Sequence, residues 1–173
     1  MERHEFVTDK IKTALPEAIE DIYDFRDERT LIVRADQLKA VCLMLRDDPE
    51  LAFNFLSDIS ADDYLPQFPR FAVNYHLYSI PQNHRLRLRV WVEDPDEGPE
   101  TMKDVWPIAT WLEMEVWDLM GVRFAGNTAL RRLFLPEDWQ GHPLRKDYPL
   151  GYEEVQFSFN WEEIDSRKPY AKD

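Results

Sequence analysis

The chain has 173 residues, 44% of them apolar and 13% aromatic, which is enough for one substantial core and too hydrophobic for general disorder. Its 34 acidic and 21 basic residues give a formal charge of -13, the wrong sign for a nucleic-acid backbone or an anionic lipid surface. Cys42 is the lone cysteine, which excludes an intrachain disulfide and any iron–sulfur cluster held wholly by thiolates of this chain.

Residues 2–15 read as a first helix, with Phe6, Ile11, Ala14 and Leu15 as apolar positions and Pro16 as its stop. The opening MERHEFVTDK has neither the apolar stretch of a signal peptide nor the acid-poor character of a transit peptide. Two strands follow, AIEDIYDF and TLIVRA, joined by a polar four-residue hairpin loop over 26–29. Asp36 stands where an N-cap belongs, ahead of a helix whose Leu38, Val41, Cys42 and Leu45 recur at helical spacing. That pattern makes Cys42 a buried core thiol in a reducing compartment, not a nucleophile.

Three more strands are predicted, LAFNFLSDI, RFAVNYHLYSI and HRLRLRVWVE, the last two linked by a turn at Pro81, Gln82 and Asn83. In the third, Leu86, Leu88, Val90 and Val92 alternate with Arg85, Arg87, Arg89 and Trp91, so one face packs on a core and the other meets water or carboxylates. After the acidic breaker EDPDEGPE comes a helix, secure from Ile108 to Met120. Ile108, Ala109, Leu112, Val116, Leu119 and Met120 share an arc that should face the sheet. Trp111, Met114 and Trp117 lie outside it, which implies a second surface over the helix. Glu115 and Asp118 flank Trp111, where burial would require cationic or amide partners.

Gly121 is a natural helix C-cap, and the texture then changes. Residues 122–173 hold Pro136, Pro143, Pro149 and Pro169, several aromatics and no sustained period. The expected organisation is an α+β domain over 1–121, with a mostly antiparallel sheet of about five strands and helices on one face. An extended C-terminal arm over 122–173 follows. No apolar run approaches the roughly 20 residues needed to span a bilayer, so membrane association is expected only through another protein.

Catalytic chemistry finds little support. The five glycines form neither a phosphate loop nor a dinucleotide fingerprint. His4, His76, His84 and His142 lie in separate segments without metal-ligand spacing, so no catalytic, cofactor-binding or metal-ligating residue is assigned. Glu113, Glu115 and Asp118 suit structural ion pairs better than acid/base work. The stretch GHPLRKDYP, residues 141–149, differs from an ordinary charge run because Pro143 and Pro149 restrict its backbone while Leu144 and Tyr148 bracket its charges. Arginine and aromatic groups held together in this way suit a protein contact, within the chain or across an interface. A small independent enzyme using His142, Arg145 and Asp147 on an anionic substrate is the contrasting reading.

The run WLEMEVWDLMGVRFAGNTALRRLFLPEDWQGHPLRKDYPL closely resembles the signature region of the C subunit, the 30 kDa subunit family, of proton-pumping NADH:quinone oxidoreductase, respiratory complex I. The sequence departs from that pattern at Met114, where the family usually has Arg, and at Asn127, Thr128 and Ala129, where it has His-Pro-Asp or something near it. The resemblance implies a non-catalytic subunit of the peripheral arm, beside the D, B and I subunits of complex I, on the cytoplasmic face of a prokaryotic membrane. It also implies that FMN, iron–sulfur clusters and quinone belong to other subunits, with NADH reached only through the complex. A related ferredoxin- or F420-dependent oxidoreductase, or a membrane-bound hydrogenase, is the alternative setting. The expected partner-interface residues are Trp111, Glu115, Asp118, Arg131, Arg132, His142, Arg145, Lys146, Asp147 and Tyr148.

Overall fold

The computed structural model describes residues 2–149 and 159–167. In chain order the elements are α1 (Glu2–Ala14), β1 (Ile19–Phe25), β2 (Glu28–Val33), α2 (Leu38–Asp47), β3 (Phe55–Asp63), β4 (Phe71–Ser79), β5 (His84–Val92), α3 (Ala109–Met120) and a short α4 (Trp161–Arg167). The five strands form one sheet in the order β1-β2-β5-β4-β3. Neighbours are antiparallel except β2 and β5, which run parallel because the chain leaves β2 through α2 and returns only at β5. The expected α+β class and largely antiparallel sheet are therefore observed.

The period of two in β5 does what alternation dictates. Leu86, Leu88, Val90 and Val92 are buried among Val7 and Ile11 of α1 and Leu38, Val41, Cys42 and Leu45 of α2. On the opposite face Arg89 donates to Asn74 and Asp62, and Arg87 donates to Thr30. Burial in this dry core raises the Cys42 thiol well above its ordinary range, which keeps it protonated.

Several local expectations are corrected. The first hairpin turns on two residues, not four, because Arg26 and Asp27 both take the left-handed φ, 49° and 65°, that matches strand twist in a tight turn. Asp36 does not cap α2, which starts after Gln37 without a side-chain cap; its carboxylate accepts instead from the Arg34 guanidinium at 3.0 and 2.9 Å. β3 starts at Phe55 and not at Leu51. Leu51 and Phe53 are buried from a turn whose Phe53 N–H is tied to the Leu45 carbonyl, so their apolar pattern records packing and not a strand.

On α3 the wheel misplaced two residues. Ile108, expected on the sheet-facing arc, is 49% exposed, while Met114, expected outside it, is 2% exposed. Beyond α3 the chain does not leave at once: Val122 and Phe124 join the main core, and Ala125 bridges to Glu100. The arm is not extended throughout, since α4 is helical. Its stretches over 150–158 and 168–173 lie outside the described residues.

Candidate partner-docking site

The C-terminus of α3 is the place where the signature residues converge. The last carbonyls of any helix lack intrahelical donors and must find others. Gly121 ends α3 with φ 75°, its N–H on the Trp117 carbonyl, and the stretch 142–145 then supplies the missing donors. His142 Nδ1 donates to the Asp118 carbonyl at 2.9 Å, the Leu144 N–H to Leu119 at 3.0 Å, and Arg145 Nε to Met120 at 2.7 Å. The Arg145 guanidinium at the negative end of the helix dipole adds favourable electrostatics, while burial lowers the His142 pKa and leaves that ring a neutral donor.

Asp118 anchors the other half of the loop. Its fully buried carboxylate accepts the consecutive N–H groups of Leu133, Phe134 and Leu135 through Oδ2, at 2.9, 2.8 and 3.1 Å, and Arg132 Nη1 through Oδ1 at 3.0 Å. Burial alone would raise this carboxyl; the three backbone donors and Arg132 overcome that and lower it below the ordinary value. Arg132 continues the network, donating through Nη2 to the carbonyls of Trp139 and Gly141 while its guanidinium lies over the Trp117 ring. Trp139 stacks on Tyr148 at 6.5 Å, and Trp117 meets His142 edge-on. The expected cover over Trp117 is therefore the chain's own arm.

The far end of the loop is tied to the sheet. Arg70, just before β4, donates to both oxygens of Asp147 at 2.9 and 2.8 Å and to both oxygens of Asp63 at 2.9 and 2.7 Å. Asp63 also accepts the Lys146 N–H, while Lys146 Nζ reaches the Leu65 carbonyl. The Arg70 guanidinium beside Asp63 holds that carboxyl far below the usual carboxylate range. Arg145 lies over the Phe71 ring and faces a carbonyl rather than a carboxylate. The contacts of Arg145, Lys146 and Asp147 thus hold the charged cluster of GHPLRKDYP against its own domain.

The expected interface residues divide into two sets. Asp118, Arg132, His142, Arg145 and Asp147 make intramolecular contacts that fix the loop, and Lys146 and Tyr148 join them through their backbone N–H groups. Trp111 and Arg131 are exposed, and they line an open groove of about 450 Å³ with Pro107, Thr110, Met114, Thr128, Ala129 and Leu130. Glu115 is half-buried on the same helix. Phe134 at 63% and Leu144 at 59% exposure leave large apolar side chains in water along the fixed loop, and Trp111 at 50% does so on α3.

Sequence reasoning missed two sets of residues. Arg70 and Asp63 flank the proline-rich turn DDYLPQFPR, whose bracketing by opposite charges was the available signal. Glu113, assigned to an ion pair, is fully buried without a cation: it accepts from Thr101 Oγ1 at 2.6 Å, the Met102 N–H at 2.7 Å and Asn127 Nδ2 at 2.8 Å. Burial raises its pKa, and those three donors only partly oppose the rise. Asn127, one of the departures from the family pattern, is thus a hydrogen-bond donor to this carboxyl. Among the described residues no group of three or more His, Cys, Asp or Glu side chains could hold a metal ion. No helix among them is long and apolar enough to cross a membrane.

Comparison with known proteins matches this arrangement to one family. The sequence model of the respiratory-chain NADH dehydrogenase 30 kDa subunit matches residues 31–154. The C subunit of NADH-quinone oxidoreductase from Roseiflexus sp. (strain RS-1) is 44% identical over 167 residues, covering 96% of each chain. Its counterpart from Geobacter sulfurreducens is 46% identical over 142 residues, covering 82% of this chain and 86% of that one. The trypsin-resistant fragment of Nqo5 superposes with a TM-score of 0.59 at 32% identity, over 72% of this chain and 97% of the fragment. The chain belongs to the 30 kDa subunit family of the respiratory-chain NADH dehydrogenase, the C-subunit family of NADH-quinone oxidoreductase.

Proposed function

We propose that the chain is a non-catalytic structural subunit of the peripheral arm of a proton-pumping NADH:quinone oxidoreductase. On this reading it docks on neighbouring subunits, with D, B and I as the partners the family resemblance suggests, and reaches the membrane only through them. One observation carries the docking role. A loop pinned at Asp118, Arg132, Arg145 and Asp147 leaves Phe134 and Leu144 exposed on a backbone that has already lost its conformational freedom, and α3 leaves Trp111 exposed. Such a surface binds without a large ordering cost, which is what a permanent interface requires. The Roseiflexus and Geobacter relatives are C subunits of NADH-quinone oxidoreductases, which favours that setting over a ferredoxin- or F420-linked enzyme or a hydrogenase.

On this reading the chain carries no electron-transfer step, and NADH, FMN, iron–sulfur clusters and quinone are handled by partners on the cytoplasmic face. The test is intact-mass spectrometry of the native assembly isolated through a tag on this chain. The expected result is one complex containing flavin- and quinone-reactive subunits. Recovery of the chain alone from native membranes and cytosol would overturn the reading.

A further inference from the structure

The rings of His4, in the first turn of α1, and His84, the first residue of β5, lie 4.4 Å apart between centroids, with Phe53 against His84 at 5.9 Å. His4 Nε2 is 3.1 Å from the Asp27 carbonyl, which can only accept, so the proton of the neutral ring is on Nε2 and the lone pair on Nδ1. His4 Nδ1 and His84 Nε2 are both buried without a hydrogen-bond partner. A neutral His84 can leave a lone pair on its dry Nε2, which is less unfavourable there than an N–H. A charged His84 carries an N–H on Nε2 with no acceptor and adds positive charge beside Arg3.

The surroundings offer no compensation. Arg3 on α1 adds a positive charge beside the pair, its Nη2 on the Glu50 carbonyl and its Nε buried without a partner. The nearby carboxylates are taken elsewhere: Asp24 of β1 lies in the fork of Arg29, and Glu50 holds Lys10. We infer that the packing of His84 against His4 is an acid-opened latch that seats the first turn of α1 on the sheet when the His84 ring is neutral and releases it when that ring is charged. The latch is independent of any partner subunit and would act in the chain alone or in an assembly.

Burial, with His4 and Arg3 nearby, pushes His84 down to about 4 in the docked state. A histidine freed by undocking returns to an ordinary value of about 6.5. The sign follows: the docked state binds fewer protons between these values, so latch stability is present above about pH 6.5 and is lost progressively toward pH 4. From this difference alone the open population rises about 20-fold between pH 7 and pH 5.

The experiment is amide hydrogen exchange on the full chain, expressed as protection factors, at pH 7 and pH 5. The Val7 amide, whose helix bond reaches back to Arg3 in the first turn of α1, is expected to lose protection about 20-fold while Val41 and Leu45 of α2 do not, and His84→Phe is expected to abolish the loss while keeping the ring packing. A pH-independent α1, an equal loss in His84→Phe, or a parallel loss in α2 would overturn the proposal. Should His84→Phe fold poorly, NMR titration of the parent ring decides: a value near 4 supports the latch, and one near 6.5 with α1 still docked refutes it.

Discussion

Arg70 holds Asp63 and Asp147 with a single guanidinium, joining the end of β3 to a loop residue more than seventy positions later in the chain. The two carboxylates are not equivalent, since the Asp63 side chain is 2% exposed and that of Asp147 is 51% exposed. Removing Arg70 leaves Asp63 charged, buried and short of its main partner, whereas removing Asp147 costs only an exposed ion pair. Arg70→Ala is therefore expected to lower unfolding free energy by roughly 3 kcal/mol, and Asp147→Asn by about 0–1 kcal/mol. Urea denaturation at pH 7 measures both. Asp63 adds a pH signature: its folded pKa is depressed, so its contribution is present above about pH 4 and fades as acid is added below that.

Gly121 is irreplaceable for two separate reasons. Its φ of 75° strains any side chain, and a Cβ would lie 2.2 Å from Arg145 Nη2 and 2.5 Å from His142 Cδ2, the groups that cap α3. Gly121→Ala should therefore cost about 2 kcal/mol or more and loosen the loop from the helix end. Limited trypsin digestion reads this directly: cleavage after Arg131 or Arg132 should accelerate in the variant. Unchanged digestion would show that the cap does not restrain the loop.

Glu113 gives a prediction with the opposite pH sign. Its carboxyl is raised by burial, so the folded state binds its proton more tightly and stability declines as pH rises from about 4.5 through the folded value. Glu113→Gln removes that decline. The substitution costs about 1 kcal/mol through a mismatched donor, because Asn127, whose Oδ1 already accepts from the Ala129 N–H, cannot turn its amide freely. The destabilisation should be larger at pH 5 than at pH 8. A difference that is constant with pH would mean that Glu113 titrates normally in the folded chain.

The parts legible in the sequence were those governed by local period. β5 alternates because one face of the sheet is covered, and α2 repeats at helical spacing because one stripe of it is buried. Gly121 announced the end of α3 because few other residues take its φ. The parts that escaped depend on contacts remote in sequence. Met114 is buried although it lies off the apolar arc, and Glu113 is buried because Thr101, Met102 and Asn127 meet it from three directions. The two-residue turn at Arg26 and Asp27 was hidden because neither residue is the glycine or asparagine that usually marks positive φ. In the docking region, sequence pattern and family resemblance picked out the cluster GHPLRKDYP. Which of its charges turn inward could be read only once β3 and β4 had been placed beside it.

On the proposed docking role, Trp111 of α3 and Phe134 of the loop face other subunits, and co-isolation from native membranes tests this role most directly. A tagged chain carrying Trp111→Ser and Phe134→Ser should keep its thermal midpoint within about 3 °C of the parent, since both side chains are half or more exposed. It should nevertheless lose most of the NADH- and quinone-reactive subunits that the parent brings down. Equal recovery of those subunits by variant and parent would contradict a docking role for this surface.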